Sequence, residues 1–143
     1  MINEKYTILN KVDNVIPELT MLNSPVPDIL TLIILDSINA IKKLKKSKKF
    51  NISILTHVNS LKEAKSKIEF INSLFNDLTI IPVPKSCSKT MMTQTKGAIL
   101  VDDYSGNLKE WREAKGISVK FSKTKEESEF IDITSLDELL NIF

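Results

Sequence analysis

The stretch AILVDDYSGNLKEWREAKGISVKF, residues 98–121, decides the fold. Ala98–Val101 is wholly apolar, as a strand covered on both faces of a parallel sheet must be. Two carboxylates, Asp102 and Asp103, end it. Asn107 and Glu110 stand at capping-box spacing, so a helix is expected over Asn107–Lys115, with Gly116 able to end it. Ile117–Phe121 is then the next strand. Strand, helix and strand in so short a span point to an α/β fold.

The flanking sequence repeats this alternation. Upstream, Asn51–Thr56 is expected as a short buried strand. Ser60 and Glu63 form a capping box for a helix striped by Leu61, Ala64, Ile68, Ile71 and Phe75. Leu78–Ile81 is a strand, stopped by Pro82 and Pro84, and Ser88–Thr95 a short helix or turn. Lys5–Lys11 is expected as the first strand. Pro17, Pro25 and Pro27 break the segment after it. Over Asp28–Lys46, the spacing of Leu30, Ile34, Ile38, Ile41 and Leu44 favours a helix over a buried strand at Thr31–Leu35. Downstream come a charged loop at Lys123–Ser128 and a short strand or edge at Phe130–Ile133. A closing helix at Ser135–Phe143 starts with Ser135 and Glu138 at capping-box spacing. Such alternation implies a mostly parallel sheet between two helical layers, in one domain spanning 1–143.

Composition narrows the function. The 143 residues carry 20 basic and 18 acidic side chains, for a net charge of +2, and 42% are hydrophobic. A real core is expected, and near charge balance gives no global argument for nucleic acid, which is not expected as a partner. The one basic cluster, Lys42–Lys49, reads as a solvated helix end rather than a phosphate-backbone patch. Cys87 is the only cysteine, so no internal disulfide can form, and a zinc site is not expected. The polar N-terminus and the short apolar run Ile29–Leu35 suggest neither a signal peptide nor a membrane span, and a cytoplasmic setting is expected.

In parallel sheets, sites form at the carboxyl ends of strands. The candidates there are Lys11 and Asp13 after the first strand, and Thr56, His57 and Ser60 after the second. Lys85 and Lys89 follow the third, and Asp102 and Asp103 the fourth. Carboxylates suit Mg²⁺, and a hydroxyl with an ammonium suits phosphate oxygens. Each candidate has a structural alternative. Thr56 can be an ordinary strand residue, and His57 a surface or hydrogen-bonding histidine. Lys89 can be solvated, with Lys85 a rival for its role. Asn107 can be a helix cap, and Trp111 reads as a packing residue.

The ordered set ILT at 54–56, Lys89 before a short helix, and ILVDDYSGNLKEW at 99–111 resembles motifs two to four of the haloacid-dehalogenase superfamily. It is most similar to the 5′(3′)-deoxyribonucleotidase-like phosphatases, in Asp102, Asp103, Asn107 and Trp111 taken in order. The resemblance covers about residues 50–121. It implies a three-layer Rossmann-like sheet of strand order 5-4-1-2-3 with a minimal cap or none. It makes Asp102 a metal ligand and Asp103 a supporting carboxylate, with Asp13 a further ligand. Thr56, His57 and Lys89 would hold phosphate oxygens, and Mg²⁺ would be the cofactor of an active member. The partner would be a nucleotide or another small phosphorylated molecule.

The first motif departs from that pattern. Where the superfamily has Asp-x-Asp-Gly, this chain has Lys11-Val12-Asp13-Asn14. Asp13 matches the general acid and base, but Lys11 replaces the nucleophile. An ammonium can neither attack phosphorus nor bind Mg²⁺. It can supply internally the positive charge that the metal would bring. Taking Asp13 as nucleophile puts Val15 at the general-acid position, and taking Asp36 puts Ile38 there. A Schiff base on Lys11 is opposed by the nearby carboxylates, which would hold it protonated. Three functions remain open: a degenerate nucleotidase-like ligand binder, an active Mg²⁺-dependent phosphatase, and a protein-interaction module.

Overall fold

The computed structural model describes residues 6–10, 28–124 and 127–143, with side chains from residue 37 onward. The elements run β1 (Tyr6–Asn10), α1 (Asp28–Ser47), β2 (Phe50–Val58), α2 (Leu61–Leu74), β3 (Thr79–Pro84), a 3-10 turn at Lys89–Met91, β4 (Ile99–Asp102), α3 (Ser105–Glu113), β5 (Ile117–Phe121), β6 (Ile131–Ile133), a 3-10 turn at Leu136–Glu138 and α4 (Leu139–Ile142). The strands form one sheet in the order β3-β2-β1-β4-β5-β6. Every neighbouring pair is parallel.

The chain therefore steps outward in one direction from β1 to β3, then returns past β1 to β4 and continues the other way. Right-handed crossovers put the helices of those two halves on opposite faces. The core divides accordingly. Ile99 and Val101 of β4 join Leu44 of α1, Ile71 of α2 and Phe75 just after it on one face. Leu100 points the other way, with Leu55, Val83, Leu108 and Trp111, toward α3. This alternation accounts for the unbroken apolar run of β4, whose four residues are all buried. The reversal of strand order also leaves a switch point between β1 and β4. Open α/β sheets place ligands at such points.

Four expectations are corrected. Pro82 does not stop β3, which runs on to end at Pro84. β3 is the edge strand, and the Lys85 N–H donates to the Val58 carbonyl at 3.0 Å. The odd-numbered residues thus face β2, and both prolines carry their missing N–H on the open side, where nothing needs it. Next, the helix starts at Ser105, and Asn107 is not its cap. Gly116 does not end the helix by a left-handed turn; Lys115 takes that conformation, at φ 70°. Gly116 is needed for packing instead, because a Cβ there would lie 2.2 Å from Trp111 Nε1. Finally, Leu61 is not on the buried stripe of α2. It is 90% exposed, and Lys67 is buried with Ala64 and Ile71.

Other expectations hold. Asp28–Ser47 is a helix, not a strand. Ser60 caps α2, and Ser135 with Glu138 makes a capping box. The Lys42–Lys49 cluster is the end of α1. Lys43 pairs with Asp137 at 3.1 Å and Lys45 with Asp77, which holds the Asp77 carboxyl below its ordinary value. Among the described residues, no helix is long and apolar enough to cross a membrane.

Candidate functional site

The carboxyl end of β4 is built around Asp102, which is 1% exposed. Its Oδ1 accepts the Tyr104 backbone N–H at 2.9 Å. That bond turns the chain sharply into α3 and takes up one of the helix's first unpaired N–H groups. Oδ2 accepts from the Asn107 amide at 2.9 Å and from the Lys89 ammonium at 2.9 Å. Asn107 sits in the first turn of α3, so starting that helix at Ser105 aims the amide back at the strand end. Lys89 is itself 1% exposed. A lysine and an aspartate this deeply buried must be paired, because either charge alone would be costly to desolvate.

Lys89 is held from both sides of its turn. Ser88 caps the turn and donates its hydroxyl to Glu110 of α3 at 2.8 Å. One residue earlier, the Cys87 carbonyl accepts from His57 Nε2 at 3.0 Å. That bond requires the proton on Nε2. Sequence reasoning offered His57 for phosphate. The structure gives it a bond that fastens the turn carrying Lys89. Glu110, expected to cap α3, does the same from the other face.

A second group lies at the end of β2. Asn10, the last residue of β1, pairs with Ile54 on one side and Val101 on the other. Thr56 and Asp102 therefore both lie just past the level of Asn10, flanking the carboxyl end of β1. Thr56 is fully buried and faces the layer of α1 and α2. Its Oγ1 accepts from the Lys67 ammonium at 3.2 Å. Lys67 also donates to the His57 carbonyl at 2.8 Å and pairs with Glu63 at 3.1 Å. The other Glu63 oxygen accepts the Asn59 backbone N–H at 2.9 Å. That bond first, and then Lys67, holds the Glu63 carboxyl below its ordinary value.

Sequence reasoning missed Lys67 altogether. A signal existed, since positions 64, 67 and 71 share one helix face. Of the residues it named, the structure joins Lys89, Asp102 and Asn107, and it rejects the solvated alternative for Lys89. Lys85 is exposed, and Asp103 is half-buried beside Asp102. Trp111 packs beneath the site as expected, donating Nε1–H to the Ala98 carbonyl at 2.9 Å. Lys11 and Asp13 lie outside the described residues.

A Mg²⁺ ligand must offer lone pairs and negative charge. Asp102 has at least three of its roughly four lone-pair positions taken, one of them by a cation. Among the described residues, no group of three His, Cys, Asp or Glu side chains could hold a metal. Asp13, the other ligand that the resemblance implies, lies outside the described residues. The described residues provide a strand end where Asp102 is paired with the buried Lys89, and beside it a buried hydroxyl, Thr56, held by a second buried lysine, Lys67. Comparison with protein-family models and with curated proteins finds none that matches this chain.

Proposed function

We propose that this chain is a degenerate haloacid-dehalogenase-like protein, related to the 5′(3′)-deoxyribonucleotidase-like phosphatases. It binds a phosphorylated small molecule and has little Mg²⁺-dependent phosphatase activity. The observation that carries this reading is the buried Lys89–Asp102 pair. The Lys89 ammonium here sits against the carboxylate that a metal would need, although the resemblance also expects a lysine at this position. Further support comes from the sheet order and from the sequence order Thr56, Lys89, Asp102 along successive strand ends. Lys11 at the nucleophile position of the first motif is the departure from the superfamily pattern, and it too brings positive charge.

In this reading the chain's own residues bind and orient. The Thr56 hydroxyl donates to a phosphoryl oxygen. Lys89 contributes positive charge behind it. No side chain attacks phosphorus, so the ligand is held and released intact.

The test is hydrolysis of nitrophenyl phosphate and deoxynucleoside monophosphates with Mg²⁺ present. The expected result is no turnover above the Asp102→Asn variant, with a raised melting temperature in phosphorylated ligand. Turnover abolished by D102N would establish an active phosphatase instead. A melting point unmoved by every phosphate compound would favour an interaction module.

A further inference from the structure

The outer strands of the sheet, β3 and β6, each have a paired neighbour on one side alone. An open strand normally presents a row of unpaired N–H and C=O groups, where a second chain can add as a further strand. Such addition takes its affinity from main-chain hydrogen bonds. The outward N–H groups of β3 and β6 therefore decide whether a partner can dock in this way.

On β3, the Lys85 N–H donates to the Val58 carbonyl, so odd-numbered residues face β2 and even-numbered ones turn their backbone outward. The outward residues of Thr79–Pro84 are Ile80, Pro82 and Pro84. The two prolines have no N–H to offer, which leaves Ile80 as the donor.

On β6 the same result comes from side chains. The Ser122 N–H donates to the Ile133 carbonyl at 3.0 Å, so Ile131 and Ile133 face β5. Phe130, Asp132 and Thr134 then turn their backbone outward. The Phe130 N–H donates to Ser128 Oγ at 3.2 Å, and the Thr134 N–H to Glu138 Oε2 at 2.7 Å. Both acceptors are themselves held. Ser128 Oγ donates to Asp132 Oδ2 at 2.7 Å, and Glu138 Oε2 also accepts the Ser135 N–H at 3.0 Å. Asp132 is left as the outward donor of this edge.

From these bonds we infer that both edges of the sheet are closed to strand addition, by Pro82 and Pro84 on β3 and by Ser128 and Glu138 on β6. A second copy of this chain, or an extended peptide, does not dock by lengthening the sheet. A protein partner engages the helical layers or the strand ends instead. The inference does not depend on the ligand proposed above.

The test is sedimentation velocity of the full chain over a concentration series, with amide hydrogen exchange read by NMR at Ile80 and Asp132. In the parent, neither amide should gain protection as concentration rises, and protection gained at either one overturns the inference. The double variant Pro82→Val, Pro84→Val restores two outward donors on β3 and removes no hydrogen bond of the fold. Its mass should rise with concentration toward that of a dimer, with Ile80 gaining protection. A folded double variant that sediments like the parent overturns the inference, because the prolines would then not be what closes this edge. Should the double variant fail to fold, Pro84→Val alone restores one donor at an exposed position. It too should associate more than the parent, and no difference overturns the inference. On β6, Ser128→Ala frees the Phe130 N–H and leaves the Glu138 capping box intact. Protection should then appear at Asp132 as concentration rises, and none gained overturns the claim for that edge.

Discussion

Replacing Lys89 by Met should cost about 3–5 kcal/mol of folding stability, the usual result of removing one partner of a buried ion pair. Asp102 would keep Asn107 and Tyr104 as donors but would lose its compensating charge. Its buried negative charge would then be less well compensated. Denaturant unfolding followed by the fluorescence of the sole tryptophan reports the loss directly. The double variant Lys89→Met, Asp102→Asn should recover much of it, since the charge requiring compensation is then gone. A K89M protein within 1 kcal/mol of the parent would show that the pair is solvated.

Trp111→Ala should be comparably damaging, at about 3–5 kcal/mol for a large aromatic removed from a core. Trp111 is fully buried and fills the α3 side of the sheet against Leu55, Val83, Leu100 and Leu108. The loss is mostly volume rather than hydrogen bonding. Ala98's carbonyl also accepts the Ile117 N–H at 2.8 Å, so removing the indole does not orphan it. Trp111→Phe, which keeps most of the ring, should therefore cost clearly less than W111A. Circular dichroism during thermal unfolding separates the two, and equal costs would contradict this division. Gly116 belongs to the same unit, because its missing Cβ is the space that the indole occupies.

The β4–α3–β5 unit was legible because its signals are local. An unbroken apolar run, a turn and a short amphipathic helix can all be read along the chain. Signals that depend on a partner elsewhere were not legible. Pro82 and Pro84 look like strand breakers until β3 is known to be an edge. Asn107 looks like a cap until Asp102 is seen to accept the Tyr104 N–H and draw the helix start forward. Lys67 looks like a solvent-facing lysine, yet Thr56 and His57 of β2 accept from it and Glu63 of α2 balances its charge in the interior. Local patterning placed the end of β4 to within a residue, but it stopped β2 at Thr56 rather than Val58 and β3 at Ile81 rather than Pro84. Long-range contacts determined which side chains meet there: Lys89 with Asp102, and Lys67 with Thr56.

The electrostatics of the two groups agree. Each buried carboxylate or hydroxyl at the strand ends faces a lysine: Asp102 faces Lys89, and Thr56 faces Lys67. On the function proposed above, Lys11 in place of the nucleophile continues that pattern in the sequence. A site balanced in this way would have no demand for a divalent ion.

Titration of Mg²⁺ into the parent protein and into Asp102→Asn, followed by calorimetry, tests that balance most directly. The expected result is no saturable heat from either protein at millimolar Mg²⁺, on the order of what a weak surface site would need. One-to-one binding to the parent that D102N abolishes would contradict it, and would restore Asp102 as a metal ligand.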